Sequence, residues 1–337
     1  MTASVDFGSH RIRVLTLEGD QNIVSRSFRS VYSILPDTQE QRAMLGRLGL
    51  PFAVCENHLA VLGDYADELS CVNSLPQVQL FTDGQVTAAD PPARQILNTL
   101  IESMLPAATT QGAQCAVTAP GLFQSGTGSP EFLNKLVGLR GYTPVPVSAG
   151  HATVLAEGSA TRFSAIGIAF GAQCCEVALV GRGNLIDRQL VAKGGDWMNI
   201  ELARQSEQYV YDREGHCYLD IESVAKWKEA SFRTLDRRDN AMEHTLGNLY
   251  LEMLQAVAAT IQEIVRRNAI QSGPLPILCS GGVASIDGFS DAFRHALRTT
   301  NLSAEQVGSM KIVTDPLCAA RGGLIQVALQ SEARRAA

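Results

Sequence analysis

The chain has 337 residues, of which 45% are hydrophobic and 18% charged, with a formal net charge of −6. That balance supplies apolar material for a sizeable core, excludes a disordered chain and makes about two domains the expectation for this length. Acidic and basic residues are interspersed, so no basic field marks nucleic acid as a direct partner, and no apolar run reaches the roughly 18 residues of a membrane span.

The N-terminus reaches Asp6 too early for a secretory signal peptide. The eight cysteines are scattered, apart from the adjacent Cys174 and Cys175, with no C-x-x-C spacing. Both features predict reduced thiols in a cytoplasmic protein. In chain order, Val5–Gly8, Arg11–Leu17 and Asn22–Phe28 read as a β-meander, with Glu18-Gly19-Asp20 as a turn. The stretch from Ser30 to Leu75 is less regular: a short helix over Thr38–Leu48, then one or two short strands within Pro51–Leu62. Pro51-Phe52-Ala53-Val54 is a short apolar run that reads as a strand, with an exposed hydrophobic loop as the alternative.

Apolar residues at helical spacing (Ile96, Leu97, Leu100, Ile101, Met104) predict a helix over Pro91–Leu105. A strand Cys115–Ala119 stopping at Pro120-Gly121, a helix Ser129–Leu139 and a strand Thr143–Val147 follow. A second meander spans Ala165–Ala169, Cys175–Val180 and Asn184–Val191. Helices are expected over Glu201–Tyr211, Ile221–Phe232 and, as the longest, Thr245–Arg267, with Asn268 and Gly273 marking its end. Then come a strand Pro276–Cys279, a helix from about Gly288 to Arg298, a strand Lys311–Thr314 and a last helix from Pro316 to about Leu329. Asp315 stands as its N-cap, and a fraying tail is expected over Ser331–Ala337.

Strand, small-residue turn, strand occurs near residue 6 and again near residue 170, and each copy is followed by a strand that runs through a loop into a helix. This weak duplication predicts two similar α/β halves with a ligand at a domain interface. Asp6-Phe7-Gly8-Ser9-His10 and Gly171-Ala172-Gln173-Cys174 are turns whose small residues let backbone N–H groups approach an anion, and Asp6 is placed to hold a cation beside it. Ser280-Gly281-Gly282-Val283-Ala284 follows an apolar strand and lets a flat ligand lie on the backbone. Each of these is also an ordinary structural turn when taken alone.

In their shared order these motifs, with Asp315-Pro316 and the small residues after it, resemble the actin, sugar-kinase and heat-shock-chaperone ATPase superfamily. Within it the chain is most similar to bacterial actins of the MreB class. Asp83–Asp90 resembles that class's DGVIAD segment, Glu176–Val180 the strand after its second phosphate loop, Gly194-Gly195-Asp196 its GGD, and Ile277–Ala284 its ILTGGGA loop. The likeness runs from about residue 4 to 326. It implies a two-lobed α/β actin-like fold with a nucleotide cleft: a first lobe over 1–148 with an insert at about 30–75, and a second over 149–337 with a helical insert at about 200–268.

The resemblance implies ATP or ADP with Mg2+ as cofactors. Asp6 would stand by the metal, and Gly8, Ser9 and His10 would form the first phosphate loop. Gly171, Ala172 and Gln173 would form the second, with Gly194, Gly195 and Asp196 near ribose or phosphates. Lys226 and Glu229 would reach base and ribose, and Gly281, Gly282 and Val283 would line the adenosine. Two departures bear on catalysis. The family Asp that opens the second phosphate loop is Ala169 here, and the family Glu that positions the attacking water is Ser148. Carboxylates orient metal and water in phosphoryl transfer, so their loss predicts slow hydrolysis, with His10 and His151 as candidate stand-ins. Three functions follow: a filament-forming subunit whose partner is itself, head to tail; a non-polymerising scaffold serving an adaptor or membrane-associated machine; and a small-molecule kinase or chaperone ATPase.

Overall fold

The computed structural model describes residues 2–18, 22–73, 77–82, 85–86, 91–120, 129–212, 214–268, 274–300, 302 and 307–336. The Gly19-Asp20 turn, most of the 83–90 segment, Gly121 and Gly273 lie outside the described residues. The chain divides into two compact units, one made of Met1–Ser148 with Ala319–Ala337 and the other of Ala149–Cys318.

The first unit opens with the meander β1 (Thr2–Phe7), β2 (Arg11–Glu18) and β3 (Asn22–Arg29). An insert follows: β4 (Val31–Pro36), α1 (Gln39–Leu48), β5 (Phe52–Cys55), β6 (His58–Leu62), α2 (Asp64–Asn73) and β7 (Val78–Gln79), with sheet order β5-β6-β4-β7. Residues 52–55 thus form a strand, and α1 starts where Thr38 accepts a hydrogen bond from the Gln41 N–H. The unit continues with α3 (Pro91–Met104), β8 (Gln114–Thr118), α4 (Ser129–Leu139) and β9 (Thr143–Pro146). Its main sheet has the order β3-β2-β1-β8-β9, with β1 antiparallel to β2 and parallel to β8. Ala3, Val5 and Phe7 point into a core shared with Ile96, Leu97, Leu100 and Leu136, as the alternation of a strand requires.

The second unit repeats this plan. It contains α5 (Ala149–Glu157), β10 (Ala165–Phe170), β11 (Cys175–Gly181), β12 (Asn184–Val191), α6 (Gly195–Gln205), β13 (Tyr209–Tyr211), β14 (Cys217–Leu219), α7 (Ile221–Ser231), α8 (Ala241–Arg267), β15 (Leu275–Ser280), α9 (Phe289–Arg298) and β16 (Val307–Ile312). Its sheet order is β12-β11-β10-β15-β16, with β10 antiparallel to β11 and parallel to β15, the pattern of the first sheet. Ile166, Ile168 and Phe170 face α8, whose Leu246, Leu249, Met253, Leu254, Val257 and Ile261 are all buried. Ala165, Ala178, Val180 and Leu278 face α5.

Several elements differ from the sequence expectation, each for a tertiary or capping reason. Helix α8 begins four residues early because Asn240 accepts the Glu243 N–H at 2.9 Å while Glu243 reaches back to the Asp239 N–H. The helix expected over Glu201–Tyr211 instead spans Gly195–Gln205, and Tyr209–Tyr211 pairs as a strand with Cys217–Leu219. Strand β16 sits at 307–312, where it registers with β15. Helix α5 carries too little periodic apolar contrast to be read as a helix. It packs through glycine, because a Cβ on Gly150 would stand 2.8 Å from the Gly167 carbonyl oxygen.

The last helix, α10 (Cys318–Ala336), starts two residues after Pro316 and runs through the segment expected to fray. Asp315 does not cap a helix begun at Pro316; its carboxylate accepts the Leu317 N–H at 2.9 Å in the turn before α10. From Ala319 onward it groups with the first unit, whereas the resemblance implies a second lobe running over 149–337. Gly323 lies against the face of the first sheet opposite the α3 core, so close that a Cβ there would collide with Ser4 Oγ and stand 2.8 Å from Ala116 Cβ. Among the described residues no helix is long and apolar enough to cross a membrane. Gly323→Val should lower stability by about 1–3 kcal/mol through overpacking. Thermal unfolding of the two proteins checks this, and an unchanged midpoint contradicts the packing.

Candidate functional site

In the first unit, β1 ends at Phe7 and the turn Gly8–His10 leads into β2. The turn is clamped from behind: Ser30 Oγ donates to the Gly8 carbonyl at 2.6 Å, and the Ser30 N–H to that of His10 at 3.0 Å. Ser9 is buried and His10 exposed. Asp6 is only 9% exposed, and its carboxylate pairs with Arg13 Nη1 at a long 3.5 Å. Burial therefore pushes the Asp6 carboxyl up to about 6, against the pull of Arg13. Thr118, the cross-strand neighbour of Asp6 on β8, is buried with its hydroxyl unpartnered. A buried carboxylate whose burial outweighs the pull of Arg13, beside an unpartnered hydroxyl, fits a Mg2+ ion, which takes one or two protein oxygens when phosphates supply others.

In the second unit, the turn between β10 and β11 closes by a Gly171 N–H to Cys174 carbonyl bond of 3.0 Å. Its outward carbonyls are occupied by α6: the Gly195 N–H donates to Gly171 at 3.2 Å and the Asp196 N–H to Ala172 at 2.7 Å. Helix α6 therefore starts with no side-chain cap, its first donors satisfied by the turn. Gly194 makes the approach possible, since a Cβ there would collide with the carbonyl oxygens of Gly171 and Ala172. Just before it, Lys193 bonds Glu252 at 2.7 Å and lies 3.8 Å from the Trp197 ring centroid, and its carbonyl accepts the Cys175 thiol at 3.1 Å.

Three of the sequence motifs meet at Gly195. From the position of its missing Cβ, Val283 Cγ2 is 3.5 Å away, Ala172 Cα 3.6 Å and Lys228 Nζ 3.7 Å. The phosphate-type turn, the Gly194–Asp196 strap and the Gly281–Val283 loop are thus one cluster. The loop is pinned to the same strand end: Gly281 has φ +102°, and a Cβ on it would collide with the Phe170 carbonyl. Ser280, before it, shares a 2.7 Å hydrogen bond with Thr153 of α5. Gly281 and Gly282 are exposed, leaving bare backbone on which a flat ring can lie.

Lys226 and Glu229 do not join this cluster. Lys226 pairs with Glu222 at 2.6 Å on the exposed side of α7, and Glu229 is exposed. Lys228 is the residue that turns inward, donating to the Gly195 carbonyl at 3.0 Å. Burial pushes its ammonium down to about 8, partly offset by Asp196 and Glu229, and raises the Asp196 carboxyl against the pull of Lys228. The signal was in the sequence: Val224 is the buried position of α7, and Lys228 lies one turn beyond it on the same face. His151 is buried, its Nε2 lies 2.8 Å from the Gly183 carbonyl in the β11–β12 turn, and burial pushes its pKa below the usual range, partly offset by that hydrogen bond. Ala169 is half-buried and Ser148 buried at the positions where the two carboxylates are missing.

The sheets, their shared strand order and the convergent turns can be set beside known proteins. By fold the chain is similar to MamK in a double-helical filament, at 16% identity over 98% of this chain and 99% of that one, TM-score 0.69. It is similar to MreB 5 of Spiroplasma citri bound to AMPPNP, at 13% identity over 100% and 98% of the two chains, TM-score 0.66. It is also similar to the ethanolamine utilization protein EutJ of Carboxydothermus hydrogenoformans, at 16% identity over 96% and 88%, TM-score 0.51. The fold is actin-like, matching that of MamK and MreB 5. The chain belongs to the Volactin family, whose model matches residues 1–327. No protein of curated function matches it by sequence.

The uncompensated burial of Asp6 has a pH signature. With a folded pKa of about 6 against an ordinary 3.8, the group favours the folded state below about pH 4, and that contribution is lost as pH rises through 6. Asp6→Asn should therefore stabilise the ligand-free protein at pH 7 by about 1–3 kcal/mol relative to its effect at pH 4. Denaturant midpoints at the two pH values check this, and a pH-independent difference contradicts it.

Proposed function

We propose that the protein is an actin-like subunit that binds an adenine nucleotide and assembles head to tail with copies of itself, with slow hydrolysis. The observation that carries the binding half is the convergence on Gly195 of the Gly171–Gln173 turn, the Gly194–Asp196 strap, the Gly281–Val283 loop and Lys228. Backbone N–H groups of the turn would meet phosphate, the exposed Gly281-Gly282 backbone would meet the adenine ring, and Lys228 would lie towards the sugar and phosphates. In the first unit, Asp6 with Thr118 would hold Mg2+ and Gly8, Ser9 and His10 would serve the phosphates. The bound ion would neutralise phosphate charge and hold the nucleotide's oxygens in place.

Support for the assembly half is the end-to-end fold likeness to MamK, whose structure is a double-helical filament. A repeated heterologous contact that does not close makes an open filament, and a bound nucleotide can bias such a contact. Slow hydrolysis follows from Ala169 and Ser148, since positioned charge is most of the catalysis in phosphoryl transfer. The same two residues favour a second reading, a non-polymerising scaffold for an adaptor or membrane-associated machine, which needs no turnover.

Lys228→Gln should weaken binding of a fluorescent ATP analogue by about tenfold, and Lys226→Gln should leave it unchanged. Equal effects, or the reverse order, would show that α7 is turned the other way at the site. Sedimentation at high protein concentration with ATP, ADP or neither, followed by electron microscopy, should give nucleotide-dependent filaments. Absence of filaments in all three conditions, with binding intact, sinks the polymer reading in favour of the scaffold.

A further inference from the structure

Large exposed side chains gather on one ribbon of the second unit, β13–β14: Tyr209 is 48% exposed, Val210 47%, Tyr211 67% and Tyr218 55%. The ribbon is a two-stranded sheet by itself, and no other described strand pairs with it. Two strands alone are marginal in water, and a third makes a sheet stable. The side of β14 is anchored: Leu219 packs against the core of the unit, and the Asp220 carboxylate accepts the Ser223 N–H at the start of α7. The tip is closed on Asp212, whose carboxylate accepts the N–H groups of Glu214 and His216 at 2.9 Å. Strand β13 is thus held in shape with all three of its residues exposed. It carries no Lys, Arg or Pro, the residues that guard an open edge.

The register shows which backbone groups that edge offers. Val210 pairs with Tyr218, and two steps to either side the Asp220 N–H donates to the Gln208 carbonyl at 2.9 Å and the Asp212 N–H to the His216 carbonyl at 3.1 Å. Hydrogen-bonded pairs alternate along an antiparallel ladder, so Val210 turns its N–H and C=O inward to Tyr218, while Tyr209 and Tyr211 turn theirs outward. This edge is its own complement. Laid antiparallel to a second copy about a twofold axis at Val210, Tyr209 meets Tyr211 of the second copy, and Tyr211 meets its Tyr209. Each of those pairs exchanges both of its N–H···O=C bonds, and Val210 stands beside its own counterpart. Directly opposed residues share a face, so the tyrosines of both copies gather on one face and the valines on the other. At the ends, the Asp212 carboxylate comes opposite the Gln208 amide of the second copy, an acceptor facing a donor, and no like charges are opposed.

We propose that β13 is a self-pairing edge, which joins two copies of the chain across a twofold axis at Val210 into one four-stranded sheet. The occupant is a second copy because Tyr-Val-Tyr reads the same in both directions, as an isologous contact requires. The head-to-tail contact proposed above is heterologous, so the two are different surfaces, and this one needs no nucleotide. A three-residue edge buries less than the roughly 1,200 Å² of a stable interface. It is weak alone and gains strength where other contacts hold copies near each other.

Cysteine pairing reads the register in the full chain, in a Cys217→Ser background that removes the exposed thiol of the ribbon. Opposed positions of an antiparallel pair lie within disulfide reach, and positions out of register do not. On mild oxidation Val210→Cys should give a disulfide dimer at a yield at least about fivefold that of Tyr209→Cys or Tyr211→Cys alone. An equimolar mixture of Tyr209→Cys and Tyr211→Cys should regain the dimer. Tyr209→Lys/Tyr211→Lys added to Val210→Cys sets ammonium groups opposite one another and should return the yield to that of the background. Equal yields from the three single cysteines, no dimer from Val210→Cys, or a dimer that survives the two lysines each overturns the proposal. Filament formation, read by sedimentation, stands or falls separately.

Discussion

Two carbonyl oxygens, those of Gly171 and Ala172, hold the start of α6. A helix opens with unsatisfied N–H groups, and most helices cap them with a nearby Ser, Thr, Asp or Asn. Here the partner is a turn more than twenty residues earlier in the chain. The bond pair therefore fixes the turn and the helix in one act, and it does so only because Gly194 has no side chain. Once Gly195 is placed, Lys228 has its carbonyl acceptor and Val283 its contact, so α7 and the loop after β15 are set by the same anchor. The peptide that joins the turn to the helix thus organises the whole candidate site of the second unit.

The first unit reaches a similar turn by other means. Ser30, at the start of the insert, closes on the carbonyls of Gly8 and His10 from the side. One turn is braced by a helix N-terminus and the other by a hydroxyl and a strand. The two sheets nevertheless keep one strand order and one division of faces, apolar towards α3 and α4 or towards α8, and small or polar towards α10 or α5. The chain path adds a cross-exchange. The helix after β9 packs on the second sheet, and the helix after β16 packs on the first.

What could be read from the sequence was what local pattern determines. The two meanders are apolar, strand-forming runs broken by small-residue turns, and α8 carries a long apolar stripe, so these elements and the duplication were visible without coordinates. What could not be read depends on distant partners. The start of α6 has no local cap, α5 is a run of Ala, Gly, His and Thr whose burial comes from a glycine seam with β10, and β4 gains its identity from pairing with β6 and β7. At the site, the glycine turns were legible because close approach demands glycine. On α7 the structure turns Lys228 inward and leaves Lys226 on the exposed side, a difference that follows from the buried face marked by Val224. Thr118 gave no signal, since it has no meaning until the register of β8 on β1 is known.

The sequence contains two tryptophans. Trp197 follows Asp196 in the strap, with the Lys193 ammonium over its ring, and Trp227 precedes Lys228 on α7. Both indoles thus adjoin residues of the candidate site, and none lies in the first unit. The molecule carries its own optical reporter there: its tryptophan emission, excited selectively over tyrosine at the red edge of the absorption band, is a signal of the second unit, readable without a dye or an added label.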